Sequence, residues 1–234
     1  MTRTATLSLL LLTSLHLAAQ DTTTVTKVKI KTDCPKSGAI AVGAMAGVSF
    51  ANGTAWAHQS QLNTGLLVRP RLGILAEFEV AKDWFIQPSI AYTAYGYWIT
   101  NSSYGGKVSL RVHAIEFPLN IQYKLGGANE SGFFFGAGAY YGVTIGAVVT
   151  DNTAPSKKRE LEVGPDRHDD IARSMFGWSV NVGYQMSNGL FFRAAWQNGV
   201  SDYIPGDQGA TFHPYQANVC VGYLLKMAKQ KMAK

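Results

Sequence analysis

The stretch with the most capacity for chemistry is Asp166-Arg167-His168-Asp169-Asp170, with Ser174 four residues further on. A histidine beside carboxylates and near a hydroxyl is the raw material of an acyl hydrolase. An acid orients the imidazole, and the imidazole takes the serine proton. The same carboxylates suit a divalent cation. His58, His113 and His213 also fall in or beside long loops or upper strand ends. The simpler reading is the stronger: a solvated, charged loop facing anionic lipid head groups. The expectation is therefore not an enzyme, with a lipid A or phospholipid hydrolase as the alternative. Cys34 and Cys220 are the only cysteines, far apart in the chain. They leave open either a disulfide or one buried and one exposed thiol, and they are too few for a metal site of their own. No cofactor or metal is expected.

Such residues need a scaffold, and the chain is unusual in what it offers. Charged residues are 15% of 234, and there are 24 glycines. Both figures depart from an average soluble domain in the direction of a β-rich barrel. The net charge of +6 does not imply nucleic acid. Much of the excess lies at the ends, in Lys27, Lys29, Lys31 and Lys36 and in Lys226, Lys229, Lys231 and Lys234. No recognition helix or RNA-binding motif accompanies it.

Residues 1–20 read as a secretory signal peptide: Arg3, apolar runs at 7–12 and 15–19, then small residues before Gln20. Residues 21–37 read as a periplasmic lead-in, 38–226 as a barrel and 227–234 as a basic C-terminal tail. No stretch of the mature chain is long and apolar enough for a transmembrane helix.

Eight segments alternate with a period of two, at about 38–50, 65–80, 84–100, 108–125, 132–149, 173–187, 189–200 and 213–226. In the fourth, Val108, Leu110 and Val112 are out of phase with Ile115, Phe117, Leu119 and Ile121, and a β-bulge near His113 would bring all of them to one face. The connections alternate between tight turns, such as Ser187-Asn188, and long loops, as outer-membrane barrels do. The expected fold is all-β: an eight-stranded antiparallel transmembrane β-barrel.

The polar faces decide which side is out. They combine many glycines with Arg69, Arg71, Glu77, Glu79, Glu116, Lys124 and Arg193. An eight-stranded lumen is just wide enough for side chains, so long residues fit only where other strands supply glycine. Those seven charges are expected to neutralise one another inside the lumen, because unpaired buried charge is costly. Two aromatic girdles are expected at the interfaces. Trp84, Tyr123, Phe133, Tyr184 and Tyr223 form the short-turn set, and Trp98, Trp178, Trp196 and Tyr215 the loop set. A secreted soluble barrel, with its apolar face turned inwards around a small ligand, is the alternative.

Residues 115–125, IEFPLNIQYKL, are followed after a short turn by GFFFGAGAYYGVTIGA. This pair of strands resembles the PorT-like outer-membrane β-barrel family of Bacteroidota. Glu116, Pro118, Leu119 and Tyr123 match its Glu-x-Pro-Leu strand, and Gly136, Gly138 and Gly142 its glycine-rich aromatic strand. The resemblance implies a bacterial outer-membrane location and a role in envelope biogenesis, or in type IX secretion and gliding. It supplies no catalytic residues. The expected partners are outer-membrane lipid, and envelope proteins met through extracellular loops or periplasmic termini. The lysine-rich end beyond Tyr223 departs from the aromatic final strand usual in such chains. A filled lumen argues for a structural or interaction role over a general porin; a narrow channel remains a further alternative.

Overall fold

A strand with two unlike sides must find two unlike environments, and eight such strands leave no unpaired edge only if the sheet closes on itself. The computed structural model describes residues 40–57, 60–61, 63–101, 106–126, 131–151, 157–166, 169–204 and 210–226. Eight long strands dominate them. They are β1 (Ile40–Ala57), β2 (Leu67–Ala81), β3 (Trp84–Asn101), β4 (Gly106–Lys124), β5 (Gly132–Asp151), β6 (Ser174–Gln185), β7 (Leu190–Gly199) and β8 (Ala210–Lys226). Each pairs antiparallel with its sequence neighbours, and β8 returns to pair with β1, closing the ring. Residues 1–39 and 227–234, with Cys34, His58 and His168, lie outside the described residues.

The two sides are sorted in the sense that suits lipid. Leu72, Ile74, Phe117, Leu119, Ile121, Phe133, Phe135 and Val219 are exposed on the outer wall. Glu116, Arg71, Lys124 and Gln216 are 0–4% exposed. Water would reward the opposite arrangement. The soluble barrel with an inward apolar face is therefore overturned.

Glycine supplies the room inside. A Cβ on Gly136 of β5 would stand 2.8–2.9 Å from the Asn181 amide and from Gln122 Cγ. Gly136→Val should destabilise the barrel by about 1–3 kcal/mol, through overpacking. Urea unfolding of the refolded protein in lipid vesicles would read this.

The bulge expected near His113 exists, but the extra residue is on the partner strand. Ala114 pairs with Thr144 and His113 with Gly146, so Ile145 of β5 has no partner on β4. The alternation of β4 therefore continues unbroken. Leu110 and Val112, expected on the lipid side, are buried within the lumen instead. On β5 the bulge reverses the sides, so that Ala147 turns inward while Ile145 stays exposed outside.

At one end of the barrel the turns are short. Asp83 (φ 66°) sits between β2 and β3, and Gly189 (φ 97°) between β6 and β7. At the other end the chain builds outward. Lys157–Leu161 pairs back on β5 from Ala147 to Asp151, extending the wall as a hairpin. Val163–Gly164 and Ile171–Ala172 form a small parallel pair.

Candidate functional site: a filled lumen

Cross-strand register brings the lumen residues to common levels. Glu116 of β4 is the centre of the upper polar layer and is fully buried. Its Oε2 accepts from Arg71 Nη2 at 2.6 Å and Gln197 Nε2 at 3.3 Å, and its Oε1 from Gln216 Nε2 at 3.1 Å. Gln197 Oε1 accepts in turn from Gln216 and Asn218, both at 2.7 Å. One carboxylate thus anchors β2, β7 and β8 to β4. Charge-assisted bonds of this kind are the strong ones.

Closer to the short turns, Lys124 Nζ donates to Glu77 Oε1 at 2.6 Å and also to Gln185. Gln87 Nε2 donates to Glu77 at 3.3 Å, and Gln87 Oε1 accepts from Gln122 at 2.9 Å and from Arg193 Nη1 at 2.9 Å. Among the described residues Arg193 has no carboxylate partner: it meets Gln87, the Met45 sulfur and the Phe191 ring. Among the described residues three buried bases therefore face two buried acids.

Five of the seven expected charges come together: Arg71, Glu77, Glu116, Lys124 and Arg193. Arg69 and Glu79 form no ion pair among the described residues and are only half-buried. Counting charges alone missed the amides. Gln87, Gln197, Gln216 and Asn218 carry as many bonds as the ions, and their signal was their place on the same polar faces.

Above the polar layers the lumen is closed by an apolar plug. Tyr95, Val112, Tyr140, Met175 and Phe212 surround Tyr203, which comes from the segment after β7. The Tyr203 hydroxyl meets Thr144 Oγ1 at 3.0 Å, its N–H donates to Phe212 O, and its carbonyl accepts from Ala172 N–H. Burial pushes its phenol well above the ordinary tyrosine range. Nothing in the sequence period marks Tyr203, because it lies between strands. The void left between Arg71, Arg193 and Asn120 is about 20 Å³, room for a single water.

The outer wall carries the aromatics. Trp84 packs on Tyr123 at 5.2 Å and Phe133 on Tyr184 at 5.1 Å, while Tyr223 stands beside Leu190. Towards the loops, Trp196 stacks on Tyr215 at 5.4 Å, and Trp178 is exposed. Trp98 lies beneath Lys107, whose Nζ is 4.7 Å from the ring. The loop set is not level: Trp178 is six residues from Tyr184, whereas Trp98 is fourteen from Trp84.

Of the hydrolase candidates, His168 lies outside the described residues, and Asp169 and Asp170 each accept hydrogen bonds within the loop. Asp169 Oδ2 accepts from the Asp166 N–H at 2.7 Å. Asp170 Oδ2 accepts from the Glu162 N–H at 3.1 Å and from Arg159 at 3.4 Å. Both carboxylates shape their own loop. Cys220 is a buried thiol.

Solved structures of similar architecture have low identity. The outer membrane protein OprG of Pseudomonas aeruginosa matches with a TM-score of 0.49 at 13% identity, over 82% of this chain and 97% of that one. The attachment invasion locus protein Ail of Yersinia pestis matches at 0.39 and 10%, over 80% and 99%. Neisserial surface protein A matches at 0.39 and 12%, over 79% and 96%. No curated protein matches. The profile of the outer membrane protein beta-barrel domain fits residues 18–204. With the closed eight-stranded ring and its lipid-suited wall, that match makes the chain a member of the outer membrane protein beta-barrel family, located in the bacterial outer membrane.

Proposed function

We propose that this protein is a non-enzymatic anchor of the cell envelope that presents its loop-side hairpin to other envelope proteins. The observation that carries this reading is the filled lumen. Two polar layers and the Tyr203 plug occupy the lumen, and the void between Arg71, Arg193 and Asn120 is about 20 Å³. The exposed surface at the loop end, by contrast, is built: Lys157, Lys158, Arg159 and Glu160 stand out from the barrel on a strand paired to β5. The PorT-like resemblance of β4 and β5 supports a role in envelope biogenesis or secretion, with Glu116, Pro118 and Gly136 in matching positions.

The experiment joins two readouts on the full chain. A photo-crosslinker at Lys158, in cells, should give a discrete high-mass adduct, while the unboiled protein keeps its heat-modifiable gel mobility. In planar bilayers the purified barrel should show no steady single-channel conductance. Steady conductance without an adduct would replace the anchor with a narrow channel.

A further inference from the structure

Because β4 keeps its alternation past the bulge, two basic residues turn to the outside. Arg111 lies between Leu110 and Val112, and His113 between Val112 and Ala114. All three neighbours are buried in the lumen plug. Arg111 and His113 therefore face outward, half-buried. Tyr92, between the lumen residues Ala91 and Thr93, faces outward too, and its hydroxyl is 2.7 Å from His113 Nδ1.

Arg69 joins them through a gap in the wall. β2 and β3 pair regularly up to Leu72 and Tyr92, and pairing resumes only at Gly65 and Trp98, with one more residue on the Gly65–Leu72 side. Arg69 lies in that stretch: it pairs with Ser49 of β1, on the lumen side of β2, but has no partner on β3, so its side chain meets the gap. Its electrostatic neighbours are Arg111, Tyr92 and His113. Ala94 lies opposite His113, its Cβ on the outer side, yet it is only 1% exposed.

Among the described residues these bases have no acid partner. The cross-strand neighbours of Arg111 are Gly96 and Val148, and those of His113 are Ala94 and Gly146. No ion pair among the described residues includes Arg69 or Arg111. Both Nε atoms are buried without a hydrogen-bond partner. Buried guanidinium donors left unmatched are costly. Small residues, Ala94, Gly96 and Gly146, thus flank Arg111 and His113 in the ladder.

The height of the cluster says what meets it. His113 is ten residues from Tyr123 of the short-turn aromatic set. At ~3.3 Å per residue and a strand tilt of ~40°, that is ~25 Å along the membrane normal, the full height of a barrel's apolar band. The cluster thus stands at head-group level on the loop side. Lys107 over Trp98 lies higher on the same face.

We propose that Arg69, Arg111, His113 and Tyr92 form a cleft on the outer wall that binds the phosphate of a glycolipid in the loop-side leaflet. Phosphate is the group whose oxygens match paired guanidinium forks. The lipid's acyl chains would then lie along the apolar wall below.

The test uses the full-length barrel in detergent, with lipid A and enzymatically dephosphorylated lipid A as probes, read by native mass spectrometry. The wild type should retain the phosphorylated lipid at least ~10-fold more strongly, a margin of about one strong charged contact. Arg69→Gln with Arg111→Gln should remove that preference and leave the heat-modifiable mobility intact. Equal retention of the two lipids by the wild type overturns the proposal, and this arm needs no variant to fold. An undiminished preference in the double variant overturns the assigned residues. Binding of inorganic phosphate without either lipid would make this a soluble-anion site and overturn the lipid.

Discussion

Glu116→Leu should cost the barrel about 3–5 kcal/mol, the penalty for leaving a buried charge without its partner. Glu116 accepts from Arg71, Gln197 and Gln216 at once. Its loss strands a guanidinium that is 4% exposed and has one Nη already without a partner. Urea titration in lipid vesicles, followed by tryptophan fluorescence, would measure it. Adding Arg71→Met should recover most of the loss, because replacing both members of a buried pair is far cheaper than removing one. A change below about 1 kcal/mol for the single variant would mean that the pair contributes little to holding the ring.

Leu119→Arg tests the opposite side of the same strand and should cost about 2–4 kcal/mol. Leu119 is 53% exposed, four residues from Tyr123. That is ~10 Å along the membrane normal, close to the middle of a ~25 Å apolar band. In a water-soluble protein an arginine at so exposed a position would be almost neutral. Leu125→Arg, beyond Lys124 at the short-turn edge, should cost no more than about 1 kcal/mol, because the penalty falls off towards the interface. Equal and small effects at both positions would sink the lipid-facing assignment.

Most of the barrel was legible because its physics is local. A strand half in lipid and half in a polar lumen alternates, and seven of the eight strands fall within three residues of where alternation places them, while β1 runs seven residues further, to Ala57. The glycine face of β5 likewise foretold the crowding met by a Cβ at Gly136. What escaped depends on a partner strand. The phase break in β4 is visible in its own sequence, but the extra residue is Ile145 on β5. So Leu110 and Val112 were placed in lipid when they plug the lumen. Arg69 keeps the lumen-side phase, opposite Ser49 of β1, but it stands where β2 has lost its pairing with β3 and is only half-buried. Tyr203 carries no periodic signal at all.

The closing seam has a consequence in time. β1 and β8 join over seventeen residue pairs, from Ala41 with Lys226 to Ala57 with Ala210. The first strand to emerge must therefore wait for the last. Every other ladder joins neighbours in sequence and can zip as it forms, but this one closes a loop of most of the chain, the slowest kind of contact to make. Until then two long edges stay open to wrong partners. The rate of barrel formation should follow seam closure rather than hairpin formation, and an escort that shields the waiting edge of β1 would act where folding is most exposed.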